Sequence, residues 1–140
     1  MGNKQSINKI SFEDVQYLQK NNEKCLIINT LPENEQDCLI KCTVDIVNEV
    51  KIINKLIGNQ EIQIVIYGKN CNDETTTTKY NSLISLGFIN VYIYTGGLFE
   101  WLCLQDIYSS DLFPTTSKQL DILKYKPTVT FNKLLITNID

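Results

Sequence analysis

The stretch "IVIYGKNCNDETTTTKYNSLISLGFINVYIYTGGLFEW", Ile64 to Trp101, decides how this chain folds. Ile64 to Tyr67 form a short continuous apolar run closed by Gly68, the pattern of a strand buried on both faces. A polar loop follows. Tyr80, Leu83 and Ile84 then recur on one face of a helix expected from Asp73 or Glu74 to Leu86, with Asp73 as its cap and Gly87 as its stop. "NVYIYTGG" is a second strand, ending in Gly96 and Gly97. "LFEWLCLQDIY" is a helix rich in large apolar residues. Strand, helix, strand, helix is the alternation of an α/β protein with a mainly parallel sheet.

Working outward, the flanks continue the pattern. In "ISFEDVQYLQKN" Ser11 is a good N-cap, and Phe12, Val15 and Leu18 follow at helical spacing. "CLIINTL", Cys25 to Leu31, reads as another buried strand, ending at Pro32. "DCLIKCTVDI" alternates, so Cys38, Ile40, Cys42 and Val44 are expected on one strand face, with Cys38 and Cys42 as small core residues. "VNEVKIINKLIGN" places Val50, Ile53, Leu56 and Ile57 on one helical face, with Gly58 as the stop. "FPTTSKQLDILKY" is expected to restart a short helix near Thr116, with Leu120 and Leu123 inward. The tail 128–140 has strand-like residues but no evident partner.

With 140 residues the chain is one domain's worth of protein, and its net charge of −3 gives no basic footprint for nucleic acid. No run of about 18 apolar residues occurs, so no membrane span is expected. The first residues carry no secretory pattern. Five cysteines without a Cys-x-x-Cys pair, and no histidine at all, point to free thiols in a reduced cytoplasmic setting and to no metal site. No cofactor is implied. Arginine and alanine are missing too, while Ile, Asn and Lys abound, which fits an AT-rich coding genome such as those of some giant DNA viruses and protists. Any mechanism that needs a histidine base or an arginine clamp is excluded.

The order of these features, with Gly-Phe (Gly87, Phe88), Asn-Val-Tyr (Asn90 to Tyr92), paired glycines (Gly96, Gly97) and Trp101, resembles the second half of a rhodanese domain. The resemblance extends more weakly upstream, over about Ile10 to Gln105. It implies a three-layer domain: a central, mainly parallel sheet of about five strands with helices on both faces, spanning residues 10–127 between an arm (1–9) and a tail (128–140). It also implies an activity. Rhodaneses move a sulfane sulfur from thiosulfate or a persulfide to a thiophilic acceptor. Their nucleophilic cysteine directly follows the strand, in a loop whose N–H groups and helix N-terminus cradle the thiolate.

This sequence departs from the family at that residue. The position after the strand is Gly68, and the loop Gly68, Lys69, Asn70, Cys71, Asn72, Asp73, Glu74 is about two residues longer than the usual family loop. Cys71 therefore stands in mid-loop, as a candidate nucleophile only through a remodelled loop. Asn29 stands where the second strand usually ends in aspartate. Asp73 and Glu74 sit at the helix end that favours anions, where they would repel thiosulfate and oppose a thiolate. Lys69 is the loop's only cation. The expectation is a binding or scaffolding module that keeps the fold and has lost sulfur transfer. The alternative is a sulfurtransferase using Cys71. Phosphatase activity, known in relatives with longer loops, is disfavoured by the missing arginine.

"MGNKQS" matches the N-myristoylation pattern, with Gly2 as acceptor and Ser6 in the favoured position. One chain gives weak membrane binding, on the order of 10⁴ M⁻¹. The expected partners are thus an unidentified protein and, weakly, a membrane surface, in a host cytoplasm or virion if the source is viral.

Overall fold

A computed structural model describes residues 6–21 and 23–131. Four strands form a parallel sheet: β1 (Lys9–Ile10), β2 (Cys25–Asn29), β3 (Gln63–Tyr67) and β4 (Asn90–Tyr94), in the order β1-β4-β3-β2. Helices α1 (Phe12–Lys20), α2 (Ile46–Leu56), α3 (Thr75–Ser85) and α4 (Gly97–Ile107) connect or follow them. Short 3₁₀ turns occupy Glu33–Glu35 and Ile122–Tyr125. The architecture is the three-layer α/β arrangement expected, with four strands among the described residues where about five were expected.

Alternation along each strand splits the core in two. Ile27, Val65, Tyr67 and Tyr94 face α1 and α4, meeting Val15, Leu98, Trp101 and Leu102. Ile28, Ile64, Ile66, Val91 and Ile93 face α2 and α3, meeting Ile53, Tyr80 and Leu83. Trp101 is fully buried, packs edge-on against Tyr94 and Phe113, and donates from Nε1 to the Pro114 carbonyl at 3.1 Å. Ser11 caps α1 as read, its N–H donating to the Asp14 carboxylate at 3.0 Å. Lys9, assigned from sequence to the arm, already pairs with Ile93, and the Asn8 carbonyl accepts from the Ile93 N–H.

Three expectations fail. The segment "DCLIKCTVDI" is no strand. Thr43 makes one parallel bridge to Ile27, while Ile40 makes one antiparallel bridge to Thr115, so the segment divides its pairing between two neighbours. Between them Cys42 turns into the left-handed region (φ 78°) and is exposed; Cys38 alone of the two is buried. On α2 the inner face is Ile46, Glu49, Ile53 and Leu56, and Val50 and Ile57 are exposed. Glu49 takes the inward place because Lys79 of α3 pairs with its carboxylate. No helix restarts at Thr116. Leu120 and Leu123 point to solvent, and Tyr125 is the residue that enters the core.

The turn after β4 controls how the sheet's carboxyl end is built. Gly97 has φ +67°, and a Cβ there would stand 2.8 Å from the Gly68 carbonyl and 2.9 Å from the Asn70 N. The next two N–H groups close the contact: Leu98 donates to Gly68 O at 3.0 Å and Phe99 to Lys69 O at 2.9 Å. Only glycine satisfies both the dihedral and the approach. Gly97→Ala is expected to lower unfolding free energy by about 2 kcal/mol or more in urea titration. Gly58→Ala, at φ +95° but with open space around it, should cost about 1 kcal/mol. Equal losses at the two positions would show that close approach contributes nothing.

Candidate functional site

The ligand crevice of an open α/β sheet lies beyond the carboxyl ends of its strands. Here that end is the loop 68–74 and the Gly96-Gly97 turn, which the sequence placed in the site and the structure brings side by side. Trp101 lies a helical turn behind, in the core.

The loop is organised by two side chains of its own. Asp73 Oδ2 accepts from the Lys69 N–H at 2.9 Å, and its Oδ1 accepts from the Thr75 N–H at 3.1 Å and from the Thr75 hydroxyl. Asn70 Oδ1 accepts from the Asn72 N–H at 2.9 Å, and the Asn70 carbonyl from the Asp73 N–H at 3.2 Å. Four N–H groups at the loop, those of Lys69, Asn72, Asp73 and Thr75, thus donate to the loop's own oxygens. Asp73 fills the role of helix cap expected of it, although α3 begins two residues later, at Thr75. The Glu74 side chain makes no capping bond.

Asp73 also fills space. A Cβ built on Gly68 would lie 2.5 Å from Asp73 Oδ2, 2.8 Å from its Cγ and 2.9 Å from Thr76 Cγ2. The strand end therefore has no room for a side chain while Asp73 holds its place.

Cys71 is exposed, and its sulfur lies 3.8 Å from Asn72 Oδ1. It borders a cleft of about 400 Å³ that Lys9, Asp73, Glu74, Thr77 and Thr95 also line. Lys69 pairs with Glu35 at 3.2 Å, in the 3₁₀ turn that follows β2. Asn70 is buried, and its Nδ2 donates to the Tyr125 carbonyl at 2.9 Å, which ties the loop to the C-terminal 3₁₀ turn. Asn29 is buried at the end of β2, where it exchanges hydrogen bonds with Gln36 at 2.8 and 3.0 Å. The roles of Glu35 and Tyr125 at the loop were not legible, because both contacts join residues far apart in sequence. Gly2 lies outside the described residues. Among the described residues no cluster of His, Cys, Asp and Glu could hold a metal, and no helix is long and apolar enough to cross a membrane.

No protein-family model matches this chain, and no curated protein matches it in sequence. Solved structures do match in fold. A yeast protein tyrosine phosphatase of the rhodanese family superposes with a TM-score of 0.62 at 11% identity, over 85% of this chain and 98% of that one. The As-Sb reductase of Leishmania major gives 0.59 at 16% identity, over 76% and 84%. A rhodanese-like domain from an Anabaena protein gives 0.55 at 21% identity, over 89% and 88%. The protein has the rhodanese-like fold.

The loop geometry sets the effect of removing Asp73. Asp73→Ala leaves the Lys69 and Thr75 N–H groups without their acceptor and is expected to cost about 1–3 kcal/mol by urea unfolding. Glu74→Ala, one residue on, should stay within about 0.5 kcal/mol. A cost as small at Asp73 as at Glu74 would show that the carboxylate does not organise the loop.

Proposed function

We propose that this protein is a binding or scaffolding module on a rhodanese-like fold that does not transfer sulfur. One observation carries the reading: the Asp73 carboxylate occupies the space beside Gly68 and takes up loop N–H groups there. In the rhodanese resemblance that is where the nucleophile and its anionic cargo belong. An internal carboxylate held by the loop excludes an external anion both sterically and by charge. Gly68 carries no nucleophile, and Cys71, exposed, stands three residues further along the loop. A misplacement of even 1 Å costs on the order of 10²-fold in rate. The phosphatase and reductase activities of the structural neighbours belong to those proteins. At these identities only the fold carries over.

The surface left by such a site serves recognition of a partner protein. Acylation of Gly2 would hold the module weakly at a membrane. The alternative, sulfur transfer through Cys71, draws on the open cleft that Cys71 shares with Lys9.

Sulfur transfer from thiosulfate, and from a persulfide donor, to cyanide separates the two readings. Wild type and Cys71→Ser are expected to be equally at background. Turnover that disappears in Cys71→Ser would overturn the proposal.

The acyl chain has its own check. Protein co-expressed with an N-myristoyltransferase should gain one chain by intact mass and lose it in Gly2→Ala. An unmodified wild-type mass would remove the membrane part and leave the rest standing.

A further inference from the structure

Two thiols remote from the loop stand on neighbouring segments of chain. Thr43 bridges Ile27 in parallel register, and the Val44 N–H donates to the Ile27 carbonyl at 2.8 Å. Cys25 lies two residues before Ile27 and Cys42 one residue before Thr43, so the two thiols flank this single bridge. Paired segments lie about 4.8 Å apart, within the roughly 4.4–6.8 Å of Cα separation that a disulfide spans.

Both thiols also belong to the same layer. Cys25 packs against the cluster that contains Val15 of α1 and Ile27. Cys42 lines a cavity with Gln16, Gln19 and Lys20 of α1, and Gln19 reaches over to donate to the Lys41 carbonyl at 3.0 Å. In a regular strand Cys42 would share the face of Leu26. Its left-handed φ of 78° departs from that alternation, and Cys42 is the one non-glycine residue with positive φ among the described residues.

We propose that Cys25 and Cys42 form a thiol pair that hydrogen peroxide oxidises to an intramolecular disulfide. Cys42, exposed, meets the oxidant. Its sulfur attacks the peroxide, the O–O bond breaks, and water leaves as Cys42 becomes a sulfenic acid. The Cys25 sulfur then displaces the hydroxyl, which departs as a second water with the Cys25 proton. Two thiols and one hydrogen peroxide become one disulfide and two waters. Cys25, half-buried, is the less accessible thiol and takes the second role. Burial, and then the neighbouring Cys42, push its thiol up to about 11, so it meets the peroxide less readily than the exposed Cys42.

The bond would close the segment 25–42. That segment contains Glu35, the partner of Lys69, and the Asn29–Gln36 pair. Oxidation would thus fasten the rim of the loop site to the sheet, at the edge where the expected fifth strand is reduced to a single bridge.

The test uses the full chain, reduced and then treated with hydrogen peroxide at low protein concentration. Thiols counted in denaturant should fall from five to three, the mass should drop by two hydrogens, and peptide mapping should recover a Cys25–Cys42 crosslink. Thermal unfolding of the oxidised form should rise by on the order of 5 °C. Cys42→Ser, at an exposed position, should abolish the crosslink, whereas Cys71→Ser should leave it intact. A crosslink between any other cysteines, or Cys42 carried to sulfinic acid while Cys25 remains open to alkylation, would overturn the proposal.

Discussion

The fold's carboxyl end hangs on one close approach of backbone to backbone. Gly97 comes within a missing Cβ of Gly68 and Asn70, and the first N–H groups of α4 donate back to the Gly68 and Lys69 carbonyls. That contact joins the crossover after β3 to the helix after β4, so loop 68–74 is fixed by a neighbouring strand's turn as well as by its own sequence. Trp101, one turn further along α4, buries its indole between Tyr94 and Phe113 and stops the helix from rolling away. Backbone hydrogen bonds set the geometry here, and apolar burial supplies the driving force.

On this frame the loop is held partly from within and partly by two neighbouring turns. Asp73 and Asn70 take up N–H groups at its centre, Glu35 holds Lys69, and the Tyr125 carbonyl holds Asn70. Each contact removes a donor or a charge that an external anion would need. The same contacts tie the loop to the 3₁₀ turns at Glu33–Glu35 and Ile122–Tyr125.

Much of this was legible in the sequence where pattern and physics coincide. The continuous run Ile64 to Tyr67, the spacing of Tyr80, Leu83 and Ile84, and the paired glycines each specify one local answer, and the sheet follows from their order. The misreadings share a cause. "DCLIKCTVDI" alternates convincingly, yet its pairing is decided by Ile27 on one side and Thr115 on the other, far apart in sequence. Glu49 displaced Val50 from the inner face of α2 through a lysine 30 residues away. In the site, Asp73 was recognised as a cap and as a repulsive charge. That its carboxylate also fills the volume beside Gly68 depends on how tightly the loop closes, and no spacing rule encodes that.

The crowding at Gly68 also couples two positions of the loop. Any β-carbon at position 68 meets the Asp73 carboxylate, so a side chain there has to move Asp73 aside. Loss of Asp73 would open that volume but leave the Lys69 and Thr75 N–H groups without their acceptor. A substitution at either position is therefore felt at the other, and the two made together would not behave as the sum of the two made singly.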